Sequence, residues 1–94
     1  MTSLALDDFW EDYKKLPHEE QERAKEAYAR WCADPYYPSL HFKRIKNTEP
    51  ALWSVRVGDC YRAWGLREDI DGVDTIVWSG IGTHAQYERM IAKF

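Results

Sequence analysis

The stretch Trp53-Ser54-Val55-Arg56-Val57-Gly58-Asp59-Cys60-Tyr61-Arg62-Ala63 decides the fold. On both sides of Gly58-Asp59 the residues alternate in polarity with a period of two. That is the pattern of two half-buried antiparallel strands joined by a tight turn. The length of the turn then settles which side chains share a face, because a slip of one residue turns every side chain over. A three-residue loop of Gly58, Asp59 and Cys60 pairs Val57 with Tyr61, Val55 with Ala63 and Arg56 with Arg62. Val55, Val57, Tyr61 and Ala63 then face a covering layer, and two guanidinium groups lie together on the opposite face. Like charges directly opposite each other disfavour strand pairing, so such a pair implies an anionic partner. A two-residue loop would instead set Val55 against Arg62.

Working outward, the strand that starts at Tyr61 is expected to run to Leu66, with a turn over residues 69–72. Thr75-Ile76-Val77-Trp78 forms the next strand, ended by Gly80 and Gly82. Thr83 then caps a last helix carrying Tyr87, Met90 and Ile91 at helical spacing. Upstream, Leu40-His41-Phe42-Lys43-Arg44-Ile45 reads as the first strand of the sheet, and Asn47-Thr48-Glu49-Pro50 as the turn after it. The prolines of Asp34-Pro35-Tyr36-Tyr37-Pro38 end a helix that begins after Leu16-Pro17. Glu19, Glu20 and Glu22 suit the positive end of its dipole, and Ala24, Ala27, Tyr28 and Trp31 form its buried stripe. A shorter helix over residues 7–15, capped by Asp7 or Asp8, presents Phe9, Trp10 and Tyr13. The expected architecture is α+β: two N-terminal helices packed on one face of a four-stranded antiparallel meander, followed by a short C-terminal helix. Ser3-Leu4-Ala5-Leu6 is the only stretch ahead of the helices able to pair as a further strand, and the expected sheet does not include it.

A chain of 94 residues makes one domain, spanning residues 1–94. Such a domain buries a modest core, which five Trp, six Tyr and three Phe enlarge. Cys32 and Cys60 form neither a CxxC nor a Cys/His cluster, so they read as free thiols of a reducing compartment and suggest no metal site. No apolar run is long enough to span a membrane, and residues 1–8 lack the pattern of a secretory signal, so the expected location is the cytoplasm. The net charge of −3 argues against broad, non-specific affinity for nucleic acid. Its distribution says more. Residues 1–34 hold nine acids and five bases, and residues 68–94 hold five acids and two bases. Between them, Lys43, Arg44, Lys46, Arg56, Arg62 and Arg67 face only Glu49 and Asp59. The middle third is a basic island in an acidic protein.

Four segments, in order, resemble a known family. Leu16-Pro17 followed by Gln21, Ala24 and Ala27 is similar to the helical region of RelE/ParE toxins of bacterial type II toxin–antitoxin systems. Asp34-Pro35 with Pro38-Ser39-Leu40-His41-Phe42-Lys43-Arg44 resembles the start of their sheet. Trp53-Ser54-Val55-Arg56-Val57-Gly58 with Tyr61-Arg62-Ala63 resembles their central hairpin, and Ile81-Gly82-Thr83-His84-Ala85-Gln86-Tyr87 the ending of the HigB-like branch. The resemblance covers nearly the whole chain. It implies the RelE/ParE fold, a cognate antitoxin as partner, and a toxin that inhibits translation as a metal-independent endoribonuclease of mRNA, on the ribosome in some members. No cofactor is implied. Other members inhibit DNA gyrase without catalysis, and a toxin-like binding protein with no toxicity is a third reading, which the acidic charge keeps in play.

Cleaving RNA without a metal requires a deprotonated 2′-hydroxyl, a stabilised phosphorane and a protonated leaving oxygen. Arg56 and Arg62 are the candidate phosphate clamp, because guanidinium forks match phosphate oxygens. Their competing role is pairing with local acids in the hairpin. His84 is the candidate acid or base, because imidazole is the side chain best suited to exchanging protons near physiological pH, set against a structural bond at a helix start. Tyr87, one turn on, could stack on a base or donate a proton, although its spacing with Met90 and Ile91 equally suits the core. Lys43, Arg44 and Lys46 are candidate RNA contacts, set against protection of an edge strand by charge. Trp64 falls on the face of Arg62 and could also meet RNA.

Overall fold

The computed structural model describes residues 1–94. The hairpin takes the three-residue register: in β3 (Leu52–Val57) and β4 (Tyr61–Ile70), Val57 lies opposite Tyr61, Val55 opposite Ala63 and Arg56 opposite Arg62. Gly58 turns the chain with φ of +60°, a region costly for any residue with a Cβ. Before β4 come β1 (Thr2–Ala5), α1 (Asp7–Lys14), α2 (His18–Ala33), a single 3₁₀ turn (Pro38–Leu40) and β2 (Lys43–Arg44). After it come β5 (Val73–Thr83) and α3 (His84–Ile91).

Several expectations need correcting. The sheet has five strands, ordered β1-β5-β4-β3-β2, and not four. β1 pairs in parallel with β5, from Thr2 opposite Thr75 to Ala5 opposite Trp78. It covers the hydrogen-bonding edge that β5 would otherwise expose. The first meander strand shrinks to Lys43–Arg44, because Pro38–Leu40 coils and His41 adopts a left-handed conformation with φ of 47°. Leu40, Phe42 and Ile45 are buried all the same. β4 and β5 run well past the expected ends and are joined by Asp71 and Gly72, both at positive φ as a tight hairpin requires. Gly80 and Gly82 do not end β5. They lie within it because a Cβ at Gly80 would strike the Trp64 indole, and one at Gly82 the Gln86 side chain. At α1, Leu6 and not Asp7 or Asp8 takes the cap position, leaving both acids in the first turn beside the dipole.

The sheet divides the apolar residues into two clusters. Toward α1 and α2 lie Trp31, Leu40, Phe42, Val55, Val57, Ala63, Ile76, Trp78 and Ile81. Of the stripe expected on α2, only Trp31 is buried; Ala24 and Ala27 are half-buried and Tyr28 is exposed. On the other face Ile45, Leu52, Trp64 and Tyr87 form a second cluster, joined by Leu66, Met90 and Ile91. α3 therefore packs on the face that the sequence left open. Its start is fixed by a reciprocal capping box: the Gln86 N–H donates to Thr83 Oγ1 (3.2 Å), and the Thr83 N–H donates to Gln86 Oε1 (2.8 Å). No helix is long and apolar enough to cross a membrane.

Arg67, the last base of the island, is a structural clamp. Its Nε and Nη2 donate to the two carboxylate oxygens of Asp74 at 2.9 and 2.6 Å, its Nη1 donates to Tyr36 Oη at 3.1 Å, and its guanidinium lies 4.5 Å from the Trp53 ring centroid. The Arg67 hydrogen bonds hold the Asp74 carboxyl below its ordinary range. A depressed folded-state pKa stabilises the fold above the unfolded carboxyl value, about 3.9, and that contribution is lost as pH falls through the folded value. We expect Asp74→Asn to lower the urea midpoint at pH 7, and the gap from the parent to narrow steadily below about pH 4, measured by fluorescence-detected unfolding.

Candidate functional site

β4 and α3 bring Arg62, His84 and Tyr87 together over the second cluster. The Arg62 guanidinium sits 5.2 Å from the centroid of the Tyr87 ring. Its Nη1 is buried and has no hydrogen-bond acceptor in the protein. Arg56 and Arg67 each hold a carboxylate, whereas Arg62 holds none. Arg62 is thus packed on an aromatic face with one buried donor unmet and no anion of the protein to balance it.

Tyr87 is 7% exposed. Its ring lies 6.1 Å from that of Trp64, and its hydroxyl is 3.4 Å from Ser54 Oγ, a long and weak contact. The competing core role is thus realised, with one qualification: the face of the ring carries Arg62. His84 is exposed, and its Nε2 lies 3.1 Å from Glu88 Oε1, one helical turn on. Its ring centroid is 5.8 Å from that of Tyr87. Its main-chain N–H donates to the Cys60 carbonyl (3.2 Å), tying the first turn of α3 to the hairpin loop that also sets the position of Arg62.

The expected two-arginine clamp is not assembled. The backbones of Arg56 and Arg62 are directly opposite, but their side chains take separate partners. Arg56 Nε donates to the Gly58 carbonyl (3.1 Å) and Nη2 to Asp59 Oδ1 (3.3 Å), and the residue lines a polar cleft with Arg23 and Arg30 of α2. Repulsion between facing cations favours this divergence, and each takes the partner within its reach. Among the candidate RNA contacts, Lys43 lies opposite Ser54 and so shares the site's face, exposed and without an ion pair. Arg44 is committed to the following turn: Nη2 donates to the Thr48 carbonyl (3.0 Å) and lies 3.9 Å from Glu49. Lys46 is exposed within that turn and makes no ion pair.

Two members of the constellation were not read from the sequence. Glu88 stands four residues after His84, a spacing that places it on the same helix face and was open to view. Ser54 meets Tyr87 only because α3 folds back over β3, for which there is no local signal. Arg62, His84 and Tyr87 line neither of the two main cavities of the protein.

No family model matches the chain, and no curated protein matches it in sequence. Solved structures do match it in shape. A YoeB/ParE toxin from Agrobacterium tumefaciens superposes with a TM-score of 0.66 at 14% identity, over 89% of this chain and 99% of that one. A chain of the RelB-RelE antitoxin-toxin complex from Methanococcus jannaschii gives 0.66 at 17% identity, over 93% and 96%. The isolated E. coli RelE toxin gives 0.59 at 12% identity, over 99% and 98%. The protein therefore has the RelE/ParE fold, over at least 89% of both partners in each comparison.

The double role of Tyr87 can be separated. Tyr87→Phe keeps the ring and is expected to cost under about 1 kcal/mol, because it gives up only one long hydrogen bond. Tyr87→Ala empties the second cluster and is expected to cost about 3–5 kcal/mol, read by urea unfolding.

Proposed function

We propose that this protein is the toxin of a type II toxin–antitoxin pair and acts as an endoribonuclease on mRNA. The observation that carries the reading is Arg62, a cation without a carboxylate in an acidic protein, with Nη1 buried and unpaired. The likeness of the fold to RelE and to YoeB/ParE toxins supports the toxin role.

The 2′-hydroxyl of the substrate attacks the adjacent phosphorus, and the bond from phosphorus to the 5′-oxygen breaks. The products are a 2′,3′-cyclic phosphate and a 5′-hydroxyl. Arg62 donates to the phosphate oxygens, where charge builds in the transition state. His84, paired with Glu88, takes the proton of the 2′-hydroxyl and returns one to the departing 5′-oxygen. Tyr87 acts as the platform that fixes Arg62, a role its burial suits better than proton transfer. Lys43, on the same face, and Lys46, in the next turn, draw in the RNA backbone, and a ribosome would extend that surface. Arg56 takes a supporting part from the hairpin. Arg44 keeps its place in the turn. The cognate antitoxin silences the toxin by laying an acidic segment over Arg62.

A second reading, a non-catalytic grip on a protein target such as gyrase, is favoured by the net charge of −3, which repels nucleic acid outside the basic island. Induced expression followed by mapping of mRNA 5′ ends separates the two. We expect growth arrest with new 5′-hydroxyl ends, and a loss of about 10²–10³ in cleavage for Arg62→Ala, the size seen when one charge-stabilising donor is removed. Arrest with intact mRNA and damaged DNA would establish the gyrase reading instead.

A further inference from the structure

Arg62 has a neighbour that the proposed chemistry leaves unused. Across the sheet its partner on β5 is Gly82. Residues paired in an antiparallel ladder direct their side chains to the same face, with Cβ positions about 5 Å apart. Gly82 has no side chain, and the space beside Arg62 that one would occupy is filled from α3. A Cβ at Gly82 would meet Oε1, Cδ and Cβ of Gln86. The glycine is therefore what lets a carboxamide lie on the sheet next to the arginine.

That carboxamide is held in one orientation. Its Oε1 accepts from the Thr83 N–H (2.8 Å) and from Thr83 Oγ1 (3.3 Å), while the Gln86 main-chain N–H donates back to Thr83 Oγ1 (3.2 Å). A main-chain N–H can be met only by the oxygen of an amide, so the bond fixes which end of the carboxamide is which. Nε2 keeps both of its N–H donors free, on an exposed residue. The next residue of the same turn is Tyr87, which carries the Arg62 guanidinium on its ring. One cap thus fixes the carboxamide and the platform of Arg62 together.

We infer that Gln86 is a further substrate-contacting residue, whose Nε2 donates to an oxygen of the phosphate that Arg62 receives. Two donors side by side on a fixed support meet two oxygens of one phosphate, and bonds from preorganised donors to a charged acceptor are the strong kind. The inference rests on the ribonuclease reading of the Arg62 site. It gives Gln86 two separable roles, because the helix cap uses Oε1 and the substrate uses Nε2.

Gln86→Glu separates them. Glutamate completes a capping box as well as glutamine does, so the fold is kept. The variant has no side-chain N–H to donate, and it sets a carboxylate beside Arg62. Parent and variant are compared by mRNA cleavage in induced cells and by the urea midpoint of the purified full chain. We expect a midpoint at or above that of the parent, and cleavage lowered by at least about 10-fold, the factor carried by one hydrogen bond to a charged group. In ¹⁵N spectra of the parent, the Gln86 side-chain amide signals should move in a saturable way as a short 2′-deoxy oligonucleotide is added. Parental cleavage by a folded Gln86→Glu would overturn the inference and leave the role of Arg62 standing. So would Gln86 amide signals that stay in place while the oligonucleotide shifts that of Arg62. A parent that leaves mRNA intact would remove the ribonuclease reading, and this inference with it.

Discussion

The division of side chains between the two faces of the central hairpin depends on one pairing: Val57 opposite Tyr61 across a three-residue loop. That register sends Val55, Val57 and Ala63 to the helical side and places Arg62 and Trp64 under α3. A two-residue loop would have exchanged the faces, burying Arg62 against the helices with no carboxylate to meet it. Burying an unpaired guanidinium in an apolar layer costs several kcal/mol, roughly half the stability of a small domain or more. The register is therefore enforced by where the cation can live as much as by the turn.

Three arginines of the island show how one side chain serves different ends. Arg67 is fully satisfied by Asp74, Tyr36 and Trp53, and it braces the ribbon of β4 and β5. Arg56 closes its own hairpin through Gly58 and Asp59. Arg62 rests on Tyr87 with a donor left over. They differ in what each lacks: of the three, Arg62 alone has no anionic partner. α3 matters for the same reason. Its first residue bonds the Cys60 carbonyl and its fourth supports the guanidinium, so the helix holds His84 and Arg62 in a fixed relation.

The hairpin, the α2 boundaries and the capped last helix were legible because each has a local cause: alternation, proline, and Thr83 set against Gln86. The parallel strand β1 was not, since four residues carry little pattern and their partner lies some seventy positions along the chain. The extent of β5 was misread because glycine weakens a strand on average, and here a neighbouring indole demands it at Gly80. At the site, the residue types were readable and their partners were not. Facing arginines suggested a clamp, yet the same repulsion that drew attention to them turns their side chains apart. Tyr87 was read both as core and as chemistry, and its buried position beneath Arg62 joins the two.

The central claim is that the Arg62 guanidinium is held ready for a phosphate. Its most direct test is to follow the arginine Nε–H signals by NMR while adding a short RNA whose 2′-hydroxyls are replaced by hydrogen, so that it binds without being cleaved. The Arg62 signal should move in a saturable way while that of Arg67, already held by Asp74, stays in place. Binding of the oligonucleotide that leaves the Arg62 signal unmoved, with affinity unchanged in Arg62→Ala, would contradict the account.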